Sequence, residues 1–176
     1  MQREIEVKVL NIDIDEMAHK LESLGAVEIN HEFQKNYTFI PQGEGSFSDG
    51  YLRIRETTKK STEEKEIELT FKEVKTVDDV RINNEYTTKI DSVTMMTRIL
   101  EHMGIELEYK GEKERISYRY KNQRFDIDIW DKNTYPDPYM EIEFSNQSKI
   151  DEIIDDLGID RANVTNKSIT ELREDL

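Results

Sequence analysis

The sequence predicts an α+β fold: an antiparallel β-sheet, curled or closed on itself, with helices on its outer side. Three observations lead there. Long stretches alternate apolar and polar residues with the period of two that a strand imposes. Only a few short stretches carry helical spacing, so strands outnumber helices by roughly two to one. The polar sides of the strands are charged, and acidic and basic residues are partly sorted strand by strand. No linker divides the 176 residues, so positions 1–176 read as a single domain with room for a real core.

The elements follow in order. "REIEVKVL" at 3–10 is a strand with Glu4, Glu6 and Lys8 on one face and Ile5, Val7 and Val9 on the other. "IDEMAHKLESLG" is a helix with Met17, Leu21 and Leu24 at helical spacing, capped by Asp13 or Asp15 and ended at Gly25. "AVEINHEFQKNYTFI" and "GYLRIRET" are extended, separated by the Gly/Ser loop "PQGEGSFSDG". "TTKKSTEEKE" reads as a polar connection, and positions 57–66 as the best site for a mobile loop. "IELTFKEV" and "VRINNEYTTKI" alternate as strands. "SVTMMTRILEHMG" is a second helix, expected to pack through Val93, Met96, Ile99, Leu100 and Met103 and to stop at Gly104. "IELEYKGEKERISYRY", "RFDIDIWD" and "YMEIEFS" are strands, "SKIDEIIDDLG" a third helix, and "NKSITELRED" holds a last short one. Leu24-Gly25, Met103-Gly104 and Leu157-Gly158 repeat one helix ending.

Net charge is −14, which repels nucleic acid and anionic membranes, so neither is an expected partner. No window approaches the ~20 apolar residues of a membrane span, and the chain starts as a charged strand without an apolar signal region. Cysteine is absent, excluding disulfides, thiolate metal sites and a thiol nucleophile; the expected location is cytoplasmic. A polyanionic ligand would need a local basic cluster, so the placement of the 25 basic residues is informative.

Strand parity places them. Arg53 and Arg55 share a face; Glu68, Thr70 and Lys72 share one; so do Lys113, Arg115 and Arg119, Asp126 and Asp128, and Glu141 and Glu143. One dry and one wet sheet face would also alternate in this way. A wet face, however, usually mixes its charges with Ser, Thr and Gln, whereas these are partly sorted by strand. If the sheet closes, the charged faces meet in a lumen, and a barrel of about eight strands can hold a small ligand. Arg and Lys suit phosphate oxygens, and paired carboxylates suit hard cations such as Mg²⁺ or Mn²⁺. A metal-bridged polyphosphate satisfies both sets.

These residues resemble the CYTH superfamily, the triphosphate tunnel metalloenzymes that include class IV adenylate cyclases and thiamine triphosphatases. Glu4-x-Glu6-x-Lys8 resembles its ExExK signature. The later motifs stand in family order: Tyr37 in "QKNYTF", Arg53 and Arg55 in "YLRIRE", Lys72 in "LTFKE", Glu85 in "RINNEY", Lys113 and Arg115 in "GEKERISY", Asp128 in "FDIDIW", and Glu141 and Glu143 in "MEIEF". The resemblance covers nearly the whole chain. It implies a closed eight-stranded antiparallel β-barrel with helices packed outside. It implies that Lys8, Arg53, Arg55, Lys72, Lys113 and Arg115 bind a triphosphate, with Arg81 a lesser candidate, and that Glu4, Glu6, Asp128, Glu141 and Glu143 serve Mg²⁺ or Mn²⁺. Before "MEIEF" the chain has "WDKNTYPDPY" where familiar class IV cyclases carry a glycine-containing turn.

The expected function is that of a metal-dependent enzyme acting on a small triphosphate. The first reading is a class IV adenylate cyclase that converts ATP to cyclic AMP and pyrophosphate. The alternatives are an inorganic or organic triphosphatase and a non-catalytic nucleotide or polyphosphate-binding module. Lys8, Asp128 and Glu143 are the expected catalytic residues, with Asp128 or Glu143 helping to deprotonate the nucleophile if a dedicated base is needed. The expected assembly is a monomer or homodimer, with no exposed apolar stripe demanding the latter. Trp130 belongs to a core or to the rim of the tunnel. Other motifs are weak: "GEGSFSDG" lacks a phosphate-loop ending, "DIDEMAHKLE" and "DIDIWDKN" lack a calcium loop's central glycine, and His19, His31 and His102 have no ligand spacing.

Overall fold

A computed structural model of the chain describes residues 2–43, 47, 50–77, 80–145 and 147–174, with side chains described for all of these except 2–4, 75–77, 80, 81 and 147. Eight long strands run through it: β1 (Gln2–Val9), β2 (Val27–Pro41), β3 (Gly50–Lys59), β4 (Lys65–Val77), β5 (Val80–Lys89), β6 (Ile105–Tyr120), β7 (Gln123–Trp130) and β8 (Tyr139–Phe144). They pair antiparallel in the order β5-β4-β3-β2-β6-β7-β8-β1, and β1 pairs back onto β5. The expected eight-stranded barrel is therefore closed. A two-residue strand, β9 (Val164–Thr165), lies against Lys8 and Val9 of β1, beyond the stretch that β5 covers.

The alternation decides which side faces in. Val7, Val9, Phe125, Ile127, Met140 and Ile142 point outward and are buried under Leu21 of α1 (Ile14–Ser23) and Ile153, Ile154 and Leu157 at α3 (Ile150–Asp156). On the opposite flank Phe39, Leu52 and Ile54 lie under Leu100 of α2 (Val93–His102), with Phe47 edge-on to Phe71 at 5.4 Å between ring centroids. Leu172 of α4 (Ile169–Glu174) joins Tyr135 and Tyr139 at one end of the barrel. Each buried aliphatic side chain contributes about 1.5–3 kcal/mol, so the fold is held mainly by its outer faces. The inner faces are left to the charges.

Local signals set the helix ends. Asp13 Oδ1 accepts from the Glu16 amide at 2.9 Å and Ser92 Oγ from the Met95 amide at 3.2 Å. Gly25, Gly104 and Gly158 follow the helices at φ of +86°, +78° and +54°, the left-handed turn the repeated ending requires.

Two expectations are corrected. The polar stretch at 57–66 is a hairpin rather than a long loop: Thr57 pairs with Glu66 and Thr58 with Lys65, so β3 and β4 run on to a turn at 60–64. Threonine favours strand and the charges face solvent, so polarity there did not mean loop. On α2 only Val93, Met96 and Leu100 meet the barrel; Ile99 and Met103 are 49% and 68% exposed. A short helix on a convex barrel touches along one narrow line. Met95, Ile99 and Met103 therefore form an exposed apolar stripe the sequence reading did not anticipate. The loop expected at 41–50 falls largely on residues 44–46 and 48–49, outside the described ones.

Candidate functional site

The lumen is a cavity of about 490 Å³ into which six of the expected basic residues, Lys8, Arg53, Arg55, Lys72, Lys113 and Arg115, converge with Glu6, Glu141 and Glu143. Strand register sets the arrangement. Glu6 and Lys8 of β1 face Glu143 and Glu141 of β8. Glu141 and Glu143 face Asp126 and Arg124 of β7, and Asp128 faces Arg115 of β6. On the other side Arg53 and Arg55 of β3 lie between Thr38 and Asn36 of β2 and Thr70 and Glu68 of β4. β2 thus runs between the two basic strands, β3 and β6.

The β6–β7–β8 wall is neutralised internally. Arg115 donates through Nε and Nη2 to Asp128 at 2.6 and 2.7 Å, through Nη2 to Glu141 at 2.6 Å, and its Nη1 lies 2.7 Å from Asp126 Oδ2. Lys113 Nζ donates to Asp128 Oδ2 at 2.5 Å and lies 4.9 Å from the Trp130 ring centroid. Arg124 Nε donates to Asp126 at 2.8 Å. Burial disfavours the charge on Arg115, but Asp126, Asp128 and Glu141 outweigh it and hold its pKa well above the usual value. Burial works against the Glu141 carboxylate too, but Lys8 and Arg115 keep it well below the usual range. Lys113 goes the other way: burial, then Arg115, lower its pKa to about 7 despite Asp128.

Around β1 the cations bridge acids. Lys8 Nζ is 3.6 Å from Glu6 and 3.3 Å from Glu141, while Lys72 Nζ is 3.4 Å from Glu6 and 2.9 Å from Glu85. Burial opposes ionisation of Glu85, but Lys72 and Arg53 prevail and lower its pKa.

The β3 wall differs. Among the described residues neither Arg53 nor Arg55 forms a salt bridge; Arg55 Nε donates to Asn36 Oδ1 at 2.9 Å, and Arg53 Nε is buried without a partner. Enclosure, then the charges of Arg53 and Arg115, lower the Arg55 pKa to about 10. Two adjacent guanidiniums without salt bridges among the described residues have the chemistry to take an anion.

Sequence reasoning placed these residues unevenly. Glu4 and Arg81 lie on β1 and β5, opposite Asn83 and Glu6, but their side chains are outside the described ones. Asp128 is fully buried and bound to Arg115 and Lys113. Tyr37 points outward into the core under α2, and Arg119 is exposed. Trp130 lines the lumen, its Nε1 donating to the Tyr139 hydroxyl at 2.9 Å. Arg124 was missed although it shares the parity of Asp126 and Asp128. Gln34, Asn36 and Thr38, the neutral lumen residues of β2, carry no charge to draw attention.

The donor set suits a hard divalent cation in its chemistry: Glu6, Glu141 and Glu143 bring carboxylate oxygens from adjacent strands into one cavity. Among the described residues no three acidic or histidine groups converge closely enough to hold one, because Lys8 and Lys72 lie between them.

A CYTH domain matches residues 2–169. The chain belongs to the CYTH family. CYTH proteins bind triphosphates, are typically triphosphatases or cyclases and generally use divalent metals. The chain is similar to the PH1819 protein of Pyrococcus horikoshii (21% identity, 98% of each chain, TM-score 0.79). It is similar to a candidate adenylate cyclase of Vibrio parahaemolyticus (13% identity, 98% of each chain, TM-score 0.70). It is also similar to HpAC1 of Hippeastrum, a candidate adenylyl cyclase with a dominant triphosphatase activity (16% identity, 90% of this chain and 89% of that one, TM-score 0.64). At these identities the likeness is one of fold. No curated protein sequence matches the chain. No described helix is long and apolar enough to cross a membrane.

Proposed function

We propose that this CYTH protein is a metal-dependent enzyme that hydrolyses the terminal phosphate of a triphosphate held in the barrel lumen. The observation that carries this reading is the division of charge across the lumen. Arg53 and Arg55 stand without salt bridges among the described residues, opposite a wall carrying Glu6, Glu141 and Glu143. Hydrolysis is preferred to cyclisation because the neighbours of the arginines on β2 and β4 are Asn36, Thr38, Glu68 and Thr70, all polar. A bare triphosphate satisfies the two arginines, and none of these four neighbours offers a base an apolar face.

In this reading Lys8, Arg53, Arg55, Lys72, Lys113 and Arg115 hold the phosphate chain, with Arg81 as a further contact. Phosphate oxygens draw Lys8 and Lys72 away from Glu6, Glu141 and Glu85. Glu6 and Glu141 are then open to Mg²⁺ or Mn²⁺, with Glu4 and Glu143 as the further expected ligands; Asp128 joins them only by exchanging its bonds to Lys113 and Arg115. When bound, the metal neutralises phosphate charge and acidifies the attacking oxygen. Lys8 follows the charge that develops on the transferred group, and Glu143 receives the nucleophile's proton. Asp128 keeps Lys113 and Arg115 aimed. Because the same ammonium groups serve carboxylates or phosphates, triphosphate and metal strengthen each other's binding by one reciprocal factor.

A second reading is supported by Tyr51, Tyr109, Trp130 and Ile169, which line the same cavity and offer apolar faces to a nucleobase. That is the cyclase reading.

Incubation with inorganic triphosphate, ATP and thiamine triphosphate, each with Mg²⁺ or Mn²⁺, decides between them. Orthophosphate is the expected product; cyclic AMP with pyrophosphate would establish the cyclase instead, and binding without any product would reduce the chain to a binding module. Glu143→Gln is expected to abolish metal-dependent turnover while the circular dichroism spectrum is unchanged.

A further inference from the structure

Asn36 lies 2% exposed on the lumen face of β2, between the two basic strands. Its Oδ1 accepts from Arg55 Nε at 2.9 Å. A guanidinium nitrogen can only donate, so this contact fixes the amide's orientation and leaves Nδ2 as the free end. That Nδ2 is buried and has no hydrogen-bond partner. Its ladder neighbours cannot supply one: Arg55 carries only donors, and Gly111, opposite on β6, has no side chain. An unsatisfied buried donor costs free energy and points to an acceptor that arrives with a ligand.

We propose that Asn36 is a substrate-binding residue, whose Nδ2 donates to a phosphoryl oxygen of the anion that Arg55 holds. This rests on the triphosphate reading above and adds to it a neutral donor within the basic wall. The amide has two effects. Its Oδ1 aligns Arg55 without neutralising it, as the carboxylates around Arg115 do to that residue. Its Nδ2 then supplies a hydrogen bond beside the guanidinium. An aspartate at 36 would reverse both effects, pairing with Arg55 and presenting an acceptor to an anion.

The test is calorimetric binding of inorganic triphosphate without metal to the full chain, in a cycle of Asn36→Leu and Arg55→Met. Asn36→Leu is expected to weaken binding about tenfold in the otherwise unaltered protein, as for one hydrogen bond to a charged group. It should still weaken binding several-fold when Arg55 is already Met, at an unchanged melting temperature. No effect in the Arg55→Met background would show that Asn36 acts only through Arg55 and would overturn the direct contact. Asn36→Asp preserves size should Leu impair folding; it is expected to bind more weakly than Leu, and binding equal to the unsubstituted protein would refute the proposal. Absence of binding by the unsubstituted protein would instead remove the triphosphate reading itself.

Discussion

Arg115 and Arg55 are the same side chain inside the same barrel, yet their surroundings are opposite. Arg115 is in contact with Asp126, Asp128 and Glu141, and every one of those acids is itself buried or half-buried. Arg55 meets one amide oxygen and two further arginine charges. The first arrangement is neutralised: three hydrogen bonds run to Asp128 and Glu141, and an ion pair runs to Asp126. The second is incomplete: Arg55 has no salt bridge among the described residues, and the repulsion of Arg53 and Arg115 outweighs the attraction of Glu85. In the proposed triphosphate reading both meet the phosphate chain, but Arg115 chiefly holds the wall together and Arg55 chiefly serves the ligand.

Substitutions should separate the two roles. The largest expected effect is on stability, from Arg115→Met, which takes the shared cation from three carboxylates and leaves Asp126 to Arg124, Asp128 to Lys113 and Glu141 to Lys8. Breaking such a buried network costs about 3–5 kcal/mol, read as a large fall in the denaturation midpoint. Arg55→Met should leave that midpoint unchanged or raise it, because it relieves repulsion. It should nevertheless weaken triphosphate binding about 10- to 100-fold by calorimetry, the loss of a charge-assisted contact. If Arg55→Met unfolds the protein and Arg115→Met merely weakens binding, the contrast is wrong.

Lys113 sharpens it through pH. Its folded pKa of about 7 lies below the 10.5 of a free lysine, so between those values the unfolded chain binds more protons. Stability from this group therefore rises with pH across that window and is lost as pH falls towards 7. Lys113→Met should flatten the rise. In the metal-free protein at pH 8, triphosphate binding should take up a proton, measured by calorimetry in buffers of different ionisation enthalpy. The smallest effect is expected from Arg124→Met, about 1 kcal/mol in stability, because Arg124 is partly solvated and Asp126 keeps Arg115.

Much of the barrel was legible in advance, because the period of two in the strands survives folding unchanged. "IELEYKGEKERISYRY" coincides with β6, and the glycines after three helices mark their ends. The helix faces were less legible. Ile99 and Met103 have core spacing, but the curvature of the barrel under α2 leaves them in solvent. At the site, charge made the lysines, arginines and acids conspicuous, while Asn36 and Gln34 were passed over as ordinary polar strand residues. Arg124 could have been found by extending the parity of Asp126 and Asp128 by one more step.

By itself the sequence determined which side of each strand is apolar and which is charged, because alternation is a local property of the pleat. It determined also, through ordered motifs spread along the chain, the family. Only the tertiary structure decided which charges cancel. Arg53, Arg55 and Arg115 read alike along the chain, and what distinguishes them is the strand each meets across the ladder and the bonds made there: β2 and β4, with Asn36, Thr38, Thr70 and Glu68 and no salt bridge among the described residues, for the first two, and β7, with Asp128 bound to the guanidinium, for the third. Pairing between distant strands sets distances of a few ångströms between charges, and at those distances the neighbours decide whether a buried cation is neutralised or left for a ligand.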